Sequence, residues 1–516
     1  MRKTGLAAAM VVALAGAALA GAALAQDQGE IISKQYDDGS VYEGTFVNGL
    51  QDGKGTYRLP NGYEYVGEWV GGEIRGTGIA RYPNGSVYQG RFAAGKPEGK
   101  GKITFADGGT YEGDWRGGKM TGQGRAAYAN GSVYVGALTD GKHDGQGKLT
   151  DANGYSYAGF WRMGEKQGEG VIRYPDGTTY TGTLVKGARE GTGTLTMPNK
   201  LTYIGAWKDG QINGLGKLTQ PNGDVYEGDF VEGLRAGKGT ETYANGDTYK
   251  GSFKADKRDG KGTFTAKDGS SYTGDWVAGQ MQGQGRMVYA DRSAYDGGFK
   301  ADQPDGMGKI SYADGSSYAG QWAKGAITGQ GSAVYANGAT YTGALVGEKP
   351  EGIGTMIYPD GFRYEGAWKA GVREGVGTAT WADGTVYKGN FKAGLRDGKG
   401  AFTQPDGFSY SGDWLAGAMQ GNGIATYPTG DSYEGGFVAD KREGAGKLTY
   451  KGGEISEGMW KAGILVGPLP GAPVQPQPPE APATPAAPVA PEPPAAPAEA
   501  PADAPTDGTA TAPPNP

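Results

Sequence analysis

A tyrosine returns every 23 residues from Tyr42 to Tyr433, and no insertion or deletion breaks the count. The next step lands on Ser456. Two residues after each mark stands a glycine, Gly44 through Gly458, and eleven residues after stands another, Gly53 through Gly467, in all nineteen units. Four residues after is always Trp, Phe or Leu. Loops ordinarily tolerate changes of length, so a fixed period means that every connecting residue is held in place. A chain of 516 residues would otherwise suggest several unrelated domains. Here the period predicts one supersecondary unit copied in tandem.

The interior of a unit reads as a hairpin. From Val41 to Phe46 the pattern alternates, with Tyr42, Gly44 and Phe46 on one face. Asn48 to Gly53 reads as a turn, Gly55 to Leu59 as the returning strand, and Pro60-Asn61-Gly62 as the turn into the next unit. The glycine between Tyr42 and Phe46 leaves bare backbone for the rings to lie on. Composition agrees: 101 glycines alone would allow low-complexity disorder, but 11% aromatic residues do not fit it. The expected fold is all-β, an elongated antiparallel meander or solenoid of about 19 hairpin repeats. Two strands per unit at roughly 4.8 Å give a sheet on the order of 180 Å long before twisting.

A second rhythm overlies the first. The position four after the mark alternates Phe46, Trp69, Phe92, Trp115, Leu138, Trp161, slips once at Phe253 after Phe230, then resumes at Trp276. Fifteen after the mark, the units of Trp69, Trp115, Trp322, Trp368 and Trp414 carry Ala80, Ala126, Ala333, Ala379 and Ala425, while Phe and Leu units carry larger residues such as Ile103 and Phe402. Such volume matching implies a packed layer in which these two positions touch. Trp units also place Ile74, Met120, Met281 and Met419 in the expected turn, where they would form an exposed contact edge. A 46-residue structural period and a duplicated two-unit segment both leave this trace.

The ends differ from the array. Arg2 and Lys3 precede an Ala/Leu/Val/Gly stretch that closes on Ala23-Leu24-Ala25, so residues 1–25 read as a secretory signal peptide cleaved after Ala25. An uncleaved N-terminal anchor is the alternative. Residues 26–38 are a lead-in, 39–467 the array, and 468–516 a disordered Pro/Ala-rich tail with Glu480, Glu492, Glu499, Asp503 and Asp507 but no Lys or Arg. The expected location is the periplasm, the cell envelope or the secreted fraction, and the lack of cysteine excludes a lipoprotein.

Catalytic chemistry finds little to work with. His143, the sole histidine, reads as a solvated turn residue. Acids recur one per turn instead of clustering, and Glu112 and Asp114 share one solvated strand face. Gly233 to Gly239 imitates a phosphate loop, but it has three residues between glycines where four are needed, glycine in place of the magnesium-binding hydroxyl, and a copy at Gly394 to Gly400. No catalytic, cofactor-binding or metal-binding residue is expected, no cofactor is implied, and no ligand-binding residue can be singled out. A formal net charge of −6 with mixed signs gives no reason to expect nucleic acid.

These units resemble the MORN (membrane occupation and recognition nexus) repeat. Tyr111-Glu112-Gly113-Asp114-Trp115, Gly118, Gly122-Gln123-Gly124, Tyr128 and Asn130-Gly131 follow its pattern position by position. The likeness spans nearly all of Tyr36 to Gly467. Departures are local: Lys200 and Arg292 for the turn glycine, Asp256, Asp302 and Asp440 for the glycine seven after the mark, and Ser456 for the tyrosine. The resemblance implies a mostly single-layer sheet used for scaffolding or binding, with eukaryotic relatives linked to membranes and cytoskeletal assembly, sometimes as dimers. Such repeats also precede the catalytic domain of some phosphatidylinositol phosphate kinases, and no segment outside the repeats here offers such a domain. The expected function is therefore a non-enzymatic envelope scaffold whose partner is protein, a second copy included. The alternative is a module that binds cell-wall glycan or lipid headgroups through its aromatic rows.

Overall fold

The computed structural model describes residues 30–471. The expected signal peptide and residues 472–516 of the expected tail lie outside them. The described residues form 39 strands, β1 to β39 in chain order, and no helix. They fall into two compact units. The first holds the chain up to Asn199 with Trp207–Gly210, and the second holds Lys200–Ala206 with the chain from Gln211 onward. Within each unit the strands pair antiparallel with their chain neighbours, as the sequence pattern predicts. The lead-in contributes β1 (Ile32–Gln35), which pairs with β2 (Val41–Val47).

One repeat shows the construction. β2 pairs with β3 (Leu50–Arg58) through Tyr42↔Tyr57 and Gly44↔Gly55, then shifts register to Phe46↔Gln51. The turn is only Asn48-Gly49, both left-handed at φ 55° and 82°. These are the dihedrals of the tight hairpin turn whose twist matches that of its strands. The expected turn Asn48 to Gly53 is thus too long: Gln51, Asp52 and Gly53 already belong to β3. The register shift is a bulge, and it explains the second invariant glycine. Gly53 holds φ 93°, and a Cβ there would sit 2.3 Å from Oγ1 of Thr45.

Each turn is tied to the preceding hairpin. The Gly72 N–H donates to the Gln51 carbonyl at 2.8 Å, and the Gly71 N–H donates to the Asp52 carboxylate at 2.9 Å. Glu98 receives the Gly117 N–H and Glu443 the Ala462 N–H in the same way, each at 2.7 Å. The acid that recurs once per unit is therefore a cap for the next turn, which satisfies a backbone donor that a rigid turn leaves over. The departures at Asp302 and Asp440 follow the same logic. Both take the left-handed conformation of the missing glycine, and their carboxylates accept the Met281 and Met419 N–H groups at 2.7 Å. Lys200 and Arg292 hold the loop glycine's conformation at φ 73° and 74°.

The core is a column of tyrosines lying on glycines. Tyr42 is fully buried, and a Cβ on Gly44 would come within 2.4 Å of its hydroxyl and 2.6 Å of the Gly55 Cα. Its hydroxyl donates to the Thr45 carbonyl at 3.1 Å. Phe46 of the same unit and Trp69 of the next meet its ring edge-on, each at 5.1 Å between centroids. Trp69 also meets Tyr57 at 5.7 Å, and Trp414 meets Phe402 at 6.0 Å. The expected contact within one unit is corrected: these Trp rings pack on the residue fifteen after the preceding mark, which is itself large, while Ala80 stands in register opposite Tyr65 and Tyr88, so the Trp/Ala pairing is not one of compensating volumes in contact.

Gly228→Val would force a side chain to within 2.5 Å of the Lys238 carbonyl and 2.6 Å of the Gly239 Cα. Because strands rest on their chain neighbours, the damage should stay local. Hydrogen exchange should show protection lost in that repeat and the two beside it, with repeats near Tyr410 unchanged.

Candidate functional site

The two sheet faces differ in what they leave exposed. On the aromatic face, the residue nine after the mark leans over the tyrosine and closes it. Arg396 and Arg442 lie 4.2 Å from the centroids of Trp414 and Trp460 and donate to the Gly417 and Gly463 carbonyls at 2.6 and 2.7 Å. The same position holds Met281, Ile327 and Met419, all buried. The expected exposed Ile/Met edge is therefore incorrect for these side chains: the position falls within a strand and points inward, and Ile74 and Met120 at equivalent places are half-buried.

His143 occupies this position too. It stacks on Tyr134 at 3.6 Å with 11° between the ring planes, meets Trp161 edge-on at 4.8 Å, and shares a 2.8 Å hydrogen bond with the Tyr128 hydroxyl. The solvated-turn reading is corrected: burial pushes its pKa below the ordinary 6.5, and it serves as a flat filler. With the marks from Tyr42 to Tyr295 almost fully buried, the aromatic rows expose no broad stacking platform for a glycan.

Where the Trp/Phe rhythm slips, the aromatic face carries charge. Glu241 is buried and accepts from both Arg235 and the Tyr243 hydroxyl, which Arg258 also contacts. Two successive Phe units, Phe230 and Phe253, border this network. The buried Glu241 carboxylate is tolerated because Arg235 and the Tyr243 hydroxyl both partner it.

The opposite face is open. It presents the residues one, three, twelve and fourteen after each mark, which alternation turns outward. In the second unit a groove of about 1270 Å³ runs across the strands from Ile204 to Arg286. Its floor is the row of paired glycines, such as Gly239 and Gly251, and side chains stand on both sides. Leu215 and Ile204 supply exposed apolar surface, 69% and 53% accessible, at one end. Cations follow: Lys217 pairs with Glu227 at 2.7 Å and Lys261 with Asp275 at 2.6 Å. The hydrogen bond from Lys261 holds the Asp275 carboxyl below its ordinary pKa. Lys238 donates to the Ser252 hydroxyl at 2.8 Å, and neither it nor Lys250 forms a salt bridge among the described residues. A trough with an apolar end and two unneutralised ammonium groups fits an extended, acidic, partly apolar segment.

No residue of this groove stood out in the sequence. The signal was present in the columns twelve and fourteen after the mark, where Lys217, Lys238, Lys261 and Arg286 fall in four successive units. Lys238 sits inside the imitation phosphate loop. That segment is a turn at Glu232-Gly233 followed by a strand, Leu234–Thr242, and has no helix to receive a phosphate.

Comparison with known proteins agrees with the geometry. The family model described as "MORN repeat" matches eighteen segments, from residues 42–62 to 433–455. Among curated proteins, rat Alsin (Rattus norvegicus) is 48% identical over 50 residues, covering 9% of this chain and 3% of the relative, and human Alsin (Homo sapiens) is 44% identical over the same length and shares. The chain therefore spans only 3% of the length of these curated relatives. Among solved structures, the SAS-4 (dCPAP) TCP domain from Drosophila melanogaster, in complex with a proline-rich motif of Ana2, aligns with TM-score 0.21 and 18% identity over 30% of this chain and 85% of that one. A streptogramin B lyase structure aligns with TM-score 0.11 and 12% identity over 57% and 91%. Overlaps this weak carry no argument.

Two outcomes follow from the closed face. Burial pushes Tyr42, Tyr111 and Tyr157 up to about 12 from the ordinary 10. The neutral form is the folded form, so their stabilisation is complete below pH 10 and is lost as pH rises from 10 through 12. Absorbance at 295 nm should show the mark tyrosines ionising only with the loss of β circular dichroism. Met281→Gln and Met419→Gln should each cost about 2–3 kcal/mol in urea titration, because a buried thioether gives way to an amide without partners.

Proposed function

The chain belongs to the MORN repeat family, and from that premise we propose that it is a non-enzymatic interaction scaffold, exported to the cell envelope, that holds an extended protein segment along its open sheet face. The observation that carries this reading is the contrast between the faces. The aromatic side is sealed by the protein's own side chains, and the other side presents an uncovered glycine-floored groove with apolar residues and free cations. Exposed apolar side chains beside lysine ammonium groups suit recognition of an extended segment. Further exposed apolar side chains, Met307, Ile353 and Val376, occupy the same column twelve after the mark and lengthen the contact surface. The Arg2-Lys3 start and the Ala23-Leu24-Ala25 motif support export.

A photo-reactive amino acid placed at Leu215 or Ile353 in the full chain, expressed in cells, tests the reading. Protein adducts should form in the envelope fraction on a chain that begins at Gln26. Leu215→Asp with Ile353→Asp should weaken capture at least tenfold, about 1.4 kcal/mol. Adducts confined to glycan or lipid, or capture unchanged by both substitutions, would overturn it.

A further inference from the structure

We propose that residues 472–516 of this same chain occupy the groove, laid across the strands from β17 (Gln211–Thr219) to β23 (Gln280–Val288) with their carboxylates on Lys238 and Lys250. The inference rests on the reading of the open face as an interaction surface, and it names the first occupant.

Charge is the first reason. The segment carries Glu480, Glu492, Glu499, Asp503 and Asp507 and no Lys or Arg, so every ionic contact it makes to the array is with a cation. The groove supplies Lys238 and Lys250 without carboxylate partners, flanked by Lys217 and Lys261. Spacing is the second. Lys238 and Lys250 stand on paired strands as diagonal neighbours, roughly 7–8 Å apart at the backbone, and their flexible four-carbon stems let the ammonium groups spread further. Glu499, Asp503 and Asp507 are spaced four residues apart. In an extended proline-rich strip that is roughly 12 Å, a gap that two long lysine side chains on neighbouring strands can span.

Shape is the third reason. Proline has no N–H to extend a sheet edge, so a Pro-rich strip must be recognised by a trough that receives its rings and side chains, and its stiffness lowers the entropy lost on docking. Leu215 and Ile204 at the groove's end offer apolar surface for its Pro, Ala and Val residues. Reach is the fourth. The array ends with β39 (Ile464–Gly467) in the same unit as the groove. Returning from β39 to β17 along the sheet takes on the order of 100 Å. Residues 472–516 span on the order of 140 Å in an extended proline-rich form.

A tethered occupant sits at an effective concentration on the order of millimolar. The tail therefore acts as a built-in competitor: only a partner segment that out-competes it gains the groove. Zero-length carbodiimide coupling, which joins carboxylates to lysine amines, tests this in the full-length protein. Mass spectrometry should find tail carboxylates joined to Lys238 and Lys250 ahead of all other lysines, within single chains when isotopically light and heavy protein are mixed. Lys238→Gln with Lys250→Gln should shift the remaining cross-links to other lysines and lower tail coupling at least fivefold, as should about 0.5 M salt. Cross-links spread evenly over the array, cross-links only between light and heavy chains, or no tail cross-links at all would each overturn the proposal. The interaction reading would survive such a result if adducts from Leu215 still formed with a foreign protein, and would fall with it if they did not.

Discussion

Everything in this fold depends on a tyrosine ring lying flat over two glycines on adjacent strands. The ring of Tyr42 covers Gly44 and Gly55 so closely that a single added carbon on either would overlap it. Aromatic burial of this size is a large part of what a two-stranded unit can contribute, since an isolated hairpin is barely stable in water. The close approach also aligns the ring for edge-on contact with Phe46 and with Trp69 of the following repeat. Each unit thereby completes the burial of its predecessor. A one-residue insertion would turn every side chain beyond it to the wrong face, which is why the period never breaks.

The second constraint is that no turn is independent. Turn carboxylates and amides, from Asp52 to Glu443, accept the N–H of the turn that follows, and the carbonyl nine after each mark accepts the next. Charge in this protein is therefore largely structural, and its recurrence once per unit reflects backbone satisfaction. What remains for recognition is the face these devices leave uncovered. The same alternation that buries Tyr, Gly and Trp sends Lys238, Lys250 and Leu215 outward. The groove also lies behind the place where the Trp/Phe rhythm slips and Glu241 is buried between Arg235 and the Tyr243 hydroxyl, so one irregular stretch of the array differs on both faces.

The fold was legible because period, alternation and turn chemistry all pointed to one hairpin. Three details were not. The turn read as Asn48 to Gly53 because its glycine-rich composition hides the difference between a loop and a bulged strand, which only the left-handed φ of Gly53 reveals. That misplacement carried Met281, Met419 and His143 to the surface, although a strand position nine after the mark points at the tyrosine. The pairing of Trp with Ala inside one unit misled, because Trp69 and Trp414 each cross to a large residue of the preceding unit, a relation that a single repeat read alone cannot show. The groove went unseen for a different reason: its cations are ordinary surface lysines one at a time, and become a site only when the sheet aligns their columns.

The central claim is that one face is sealed by the chain itself and the other is open, and methionine chemistry reads both at once. Met281, Met356 and Met419 are 1%, 0% and 3% exposed on the sealed face, and Met307 is 64% exposed on the open one. Brief peroxide treatment of the native protein, followed by peptide mass spectrometry, should convert Met307 to its sulfoxide long before the other three. Oxidation of Met281 and Met419 at the rate of Met307 would show that the aromatic face is not closed, and the account would fail.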